Sequence, residues 1–125
     1  MRRDRRREAG QATVELALVL PLIVIVVLAV AQVLVVARDA AALTAATRAA
    51  ARAAIVGAEG GELRTAALHE RRLVPSRLSV SRGGGTAPGD LVTVSASYRS
   101  STEVPIVGRF VGDVTLEERF VVQRE

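Results

Sequence analysis

Among the residues whose types could do chemistry, Glu15 is the one whose place demands it. It opens an apolar stretch that reaches Ala37 without another ionisable side chain, and it stands five residues after Gly10 in "REAGQATVELALVLP" (residues 7–21). A carboxylate at the edge of hydrocarbon is costly to insert, and more so at depth. An acid kept there is expected either to meet a group of opposite charge or to cap the helix that starts beside it. Other candidates dissolve on inspection. His69 is the only histidine and sits in "HERR", a solvated setting. Glu117 and Glu118 are adjacent on an expected strand, so they point to opposite faces and cannot share a proton or a metal. "GGG" at 83–85 lacks the lysine and the following helix of a phosphate loop. The serines of "SVS" and "SAS" have no identifiable base. The chain has no cysteine, which excludes disulfides and thiolate metal sites. No catalytic, metal or cofactor-binding set is expected, and so neither an enzyme nor a small-molecule substrate.

The element that positions Glu15 is the run it opens. "LALVLPLIVIVVLAVAQVLVVA", Leu16 to Ala37, is 22 residues, or about 33 Å of helix, enough to cross a bilayer core. A buried helix in a globular protein is the alternative, but a chain of 125 residues has too little mass to cover it on all sides. Pro21 lies inside the run and frees the Ala17 carbonyl, a feature tolerated in membrane helices. The first ten residues hold five Arg against two acids, a net +3, whereas the remaining 12 Arg and 11 acids nearly cancel. The basic flank belongs on the cytoplasmic side, so the N-terminus is expected inside and the body exported. The near-neutral body lacks the basic clustering of a nucleic-acid surface. An ordinary secretory signal also fits part of this pattern, with Ala29 and Ala31 preceding a cleavage site at Gln32. That reading leaves the apolar "VLVVA" beyond the site and Glu15 unexplained.

A basic leader ending in Gly, a Glu five residues later and then an apolar helix resembles the type IV prepilins and pseudopilins. More narrowly, "GQATVELALVLPLIVIVV" resembles the TadE-like family of the Flp/Tad pilus system, with Gly10, Val14, Glu15, Ala17 and Pro21 in matching order. The resemblance implies that a prepilin peptidase cuts between Gly10 and Gln11, making Gln11 the first residue and Glu15 the fifth. Cleavage would remove the basic leader and create an ammonium about one turn from Glu15, where pairing offsets the cost of the acid. It further implies a single-pass protein of the bacterial inner membrane whose partners are the membrane, the peptidase, other pilin-type subunits and the Tad assembly platform. Glu15 and Pro21 would then be assembly residues.

After Ala37 the chain continues "RDAAALTAATRAAARAAIVG", rich in the best helix former, with Gly57 placed to end it. Thr44, Arg48 and Arg52 mark a polar face. Ala42, Ala46, Ala50 and Ala54 mark another, suited either to close helix pairing or to packing on the chain's own domain. "ELRTAALHERRL" (62–73) reads as a short amphipathic helix ended by Pro75. Strands are expected at 77–82, 91–98 and 114–122, with Leu78 and Val80, then Val92, Val94, Ala96 and Tyr98, then Val114, Leu116, Phe120 and Val122 inward, Glu118 being the exception. "VPIVGRFVG" (104–112) is an apolar loop and a candidate contact surface. The expected architecture is α+β and pilin-like: a long N-terminal helix, transmembrane in its first half, a short helix, and a small antiparallel three-stranded sheet. Its parts are a leader (1–10), the long helix (11–57, with the span at 16–37), a linker with the short helix (58–76) and an exported β domain (77–125). Two functions stay open: a pseudopilin that matures at Gln11, or a small secreted or anchored binding module that begins at Gln32.

Overall fold

The computed structural model describes residues 4–69, 73–102, 108 and 112–125, the side chains of residues 4–9 excepted. Helix α1 spans Asp4–Ile55, 52 residues without interruption at Pro21. It therefore starts within the basic leader. Its two halves have opposite environments. From Gly10 to Val27 every side chain is exposed. Only 6 % of its most apolar 18-residue window is buried, so this half is long and apolar enough to cross a membrane and is not the core helix of a globule. Beyond Ala40 the helix carries the core, with Leu43, Ala46, Ala50 and Ala54 all at 0 % exposure. Thr47 is equally buried and satisfies its hydroxyl within the helix, donating to the Leu43 carbonyl at 2.7 Å.

Gly57 ends α1 as its type suggests. With φ at +93° it lets the Gly57 N–H reach the Ala54 carbonyl (3.1 Å) and the Ala58 N–H the Ala53 carbonyl (3.0 Å). That pair of bonds is a Schellman closure, and it satisfies carbonyls the helix end would orphan.

Helix α2, Gly61–Leu68, is shorter than the expected 62–73. Leu73 is 5 % exposed, yet a continued helix would hold it only at the margin of the buried face, about 80° from Leu63 and 120° from Ala67. The chain leaves the helix so that Leu73 can enter the core, and Pro75 opens a 3-10 turn, Pro75–Arg77, instead of ending α2. Glu70, Arg71 and Arg72 of the expected helix lie outside the described residues.

Three strands follow: β1 (Leu78–Gly84), β2 (Leu91–Ser100) and β3 (Val114–Gln123), an antiparallel meander in that order. The register sets Leu78 against Tyr98 and Val94 against Phe120. Val92, Val94, Ala96 and Tyr98 are all buried, while Leu116, Phe120 and Val122 pack on them partly buried. The sheet lays this face on α1, and the alanines of α1 let it approach closely. The Ala42–Ala54 face is thus buried by the chain's own sheet and by α2. This is the expected α+β arrangement of a long helix, a short helix and a three-stranded antiparallel sheet. Most of the apolar loop expected at 104–112 lies outside the described residues.

Candidate functional site

At the N-terminal end, Gly10, Gln11 and Glu15 are all exposed on α1. Helical spacing puts Gln11 and Glu15 one turn apart, and the Gln11 Nε2 donates to Glu15 Oε1 at a long 3.4 Å. A side chain at Gly10 would meet nothing within 4 Å, so glycine there answers no packing need within the chain. Val14 and Leu16, which flank Glu15, are 60 % and 63 % exposed. The acid therefore sits on a bare apolar rod with one weak partner among the described residues. Pro21 lies on the same bare stretch.

The second cluster lies where α1 meets the sheet, and the sequence did not announce it. Gln32, inside the apolar run, is buried and donates from Nε2 to Thr102 Oγ1 at 3.3 Å, while Thr102 donates to the Gly112 carbonyl at 3.1 Å. The Ser100 hydroxyl donates to Asp39 Oδ2 at 2.6 Å. One turn further, Thr44 Oγ1 lies 2.9 Å from Glu118 Oε1 and 3.0 Å from the Ala40 carbonyl, two acceptors for its single proton. The Arg48 guanidinium stands 5.7 Å from the centroid of the Phe120 ring, a cation–π distance. Thr44 and Arg48 of the expected polar face thus lie toward β3, with Arg48 and Arg52 both exposed. Glu118, the exception to the alternation of β3, is the acceptor that this face uses. The spacing of Thr44 and Arg48 was the only local signal that could have suggested it.

On the other face of the sheet the serines of "SVS" and "SAS" do come together, with Ser79 opposite Ser97 and Ser81 opposite Ser95. They line a shallow hollow of about 420 Å³ with Glu117 and Arg119. Glu117 is exposed there while Glu118 faces α1, as adjacent strand residues must. His69 is exposed at the end of α2. Among the described residues no group of three or more His, Asp or Glu side chains could hold a metal ion.

A bare apolar helix that opens on Gly10 and Glu15 and ends under a small sheet is the arrangement to which the comparison with known families speaks. Residues 10–52 match the TadE-like protein family. The TadE-like segment starts on Gly10, includes Gln11, Glu15 and Pro21, and stops three residues short of the end of α1. It relates the chain to Tad pilus proteins, a structural rather than catalytic group. Helix α2 and the sheet lie beyond the matched residues. The chain matches no curated protein and no solved structure.

Proposed function

We propose that this chain is a TadE-like pseudopilin, a structural subunit of a Tad-type pilus or related secretion machine. A prepilin peptidase cuts it between Gly10 and Gln11. Helix α1 holds it in the bacterial inner membrane, with the leader inside and the sheet exported. The observation that carries this reading is that the family match begins on Gly10, the residue before the scissile bond, and runs along a helix whose first half is bare and apolar. The new ammonium at Gln11 then lies one turn from Glu15, where the Gln11 amide already points to the carboxylate. In the low dielectric of a packed assembly that pairing offsets the desolvation of the acid. Maturation after Ala31 would instead discard Gly10 and Glu15, with which the family match begins, together with most of the bare half of α1.

Sequencing the mature N-terminus from the native host tests this directly. Gln11 is the expected first residue, and Gln32 would refute the proposal. Gly10→Val is expected to block cutting without disturbing the fold, since the space around Gly10 is open.

A further inference from the structure

Strand β3 climbs beside α1 in the same direction. Glu118 meets Thr44, Phe120 lies by Arg48, and the Glu125 N–H donates to the Ile55 carbonyl at 3.3 Å. The step from Thr44 to Arg48 is about 6 Å of helix, and that from Glu118 to Phe120 about 6.8 Å of strand. Two residues of β3 therefore keep pace with four of α1. Glu117 and Arg119 stand one such strand step apart on the outer face of the sheet, both exposed. Neither side chain takes a hydrogen-bond or ion-pair partner among the described residues. The strands beside them carry serines at these levels, Ser97 and Ser79 in register with Glu117, Ser95 and Ser81 with Arg119. These short side chains line the hollow of about 420 Å³ that both charges border.

We infer that this face docks a second copy of the chain, displaced along the rod so that Glu117 of one copy meets Arg119 of the next. The inference rests on the pseudopilin reading above, with the Gln11 ammonium of one subunit meeting Glu15 of a neighbour. That contact displaces the two subunits by four residues of α1. The same displacement carries β3 by two residues, the step from Glu117 to Arg119. One shift of about 6–7 Å thus satisfies both pairs. The outer subunit supplies Gln11 and Glu117, the inner one Glu15 and Arg119. A simple ion suits the face less well, because an anion drawn to Arg119 meets Glu117 one step away, and a cation the reverse. An occupant must offer both signs at this spacing, as a displaced copy does. Being exposed, the pair adds little affinity and instead sets the register between copies. The contact is heterologous, leaving Arg119 of the outer copy and Glu117 of the inner one open to further copies. Its displacement keeps it from closing, so it propagates as a fibre.

The chain has no lysine, so Arg119→Lys introduces a single side-chain amine and keeps the charge. The full-length variant would be produced in the native host and its membranes treated with a water-soluble carbodiimide, which joins a carboxylate to an amine in contact with it. The expected product is a dimer whose bridging peptide links position 119 of one chain to Glu117 of another. It should be absent from the parental chain and from Arg119→Lys combined with Glu117→Gln. Glu117→Arg and Arg119→Glu should each lower recovery in sheared surface fibres about fivefold or more, since each sets like charges together at every contact. Combined, the two substitutions exchange the charges and should restore recovery to near the parental level. Absence of the dimer, or an amine at 119 bridged only within its own chain or to another carboxylate, would overturn the inference. So would single variants that assemble fully, or a bridge to an unrelated protein. A mature chain that still begins at Gln11 would leave the pseudopilin reading standing in each of these cases. A start at Gln32 would overturn both.

Discussion

Ser100, the last residue of β2, donates its hydroxyl to Oδ2 of Asp39 at 2.6 Å and is itself completely buried. Asp39 is the first acid after the apolar run, so this bond sets how far along α1 the sheet stands. Slipping the sheet by one helical turn would move the two groups about 5.4 Å apart and leave the buried hydroxyl and the half-buried carboxylate without this partner. Ser100→Ala is expected to cost about 1–3 kcal/mol, because a partly buried carboxylate loses its donor. Asp39→Ala should cost a similar amount, and the double variant less than the sum of the two. Urea unfolding of the detergent-solubilised chain measures this. Single variants with the parental midpoint would show that the bond does not hold the register.

The alanine face of α1 should tolerate no growth. Ala50 is at 0 % exposure in the core cluster, whereas Ala41 on the same helix is exposed. Ala50→Leu overpacks a filled contact and is expected to destabilise by about 1–3 kcal/mol. Ala41→Leu should be close to neutral in the same assay. Equal effects at the two positions would contradict the packing described here.

Gly57 and Gly61 make a matched pair for testing the end of α1. Gly57 has φ +93°, and a Cβ there would come within 2.8 Å of the Arg124 guanidinium, while Gly61 has open space and no such φ. Gly57→Ala is expected to cost about 1 kcal/mol through backbone strain. Gly61→Ala, within α2, should be neutral or slightly stabilising by helix propensity. Thermal unfolding followed by circular dichroism distinguishes them, and a Gly57→Ala variant as stable as Gly61→Ala would refute the Schellman closure.

Glu15→Ala should spare processing and membrane insertion, since it removes a charge from the bilayer edge. What it should lose is recovery in sheared surface fibres and crosslinking between processed subunits, because an incoming Gln11 ammonium would find no counter-charge. Glu15→Asp is expected to rescue partly and Glu15→Gln little. Assembly of Glu15→Ala at the parental level would refute the role of the acid in assembly.

Much of this fold is legible from local pattern. The alternation of Val92, Val94, Ala96 and Tyr98 assigns β2 and its inner face, and all four are buried. Gly57 marks the end of the helix because only a residue at ease with positive φ fits there. Helix α2 was overdrawn because Leu73 obeys the core rather than the helical period. Glu118 looked like a flaw in the alternation of β3 for a related reason. Its partner Thr44 is 74 residues away, beyond the reach of any periodicity.

By itself the sequence determined the bare rod, since no ionisable side chain lies between Glu15 and Arg38 and hydrophobic length is a property of the segment alone. The spacing of Gly10 to Glu15 and the strand alternation are legible for the same reason: each is set within a few residues. Only the tertiary structure decided which face of α1 the sheet covers. An Ala-rich helix offers small side chains on several sides, and the choice among them falls to contacts distant in sequence, those of Asp39 with Ser100, Thr44 with Glu118 and Gln32 with Thr102. The last of these also decided how deep the sheet stands on the apolar run, which the composition of the run could not express.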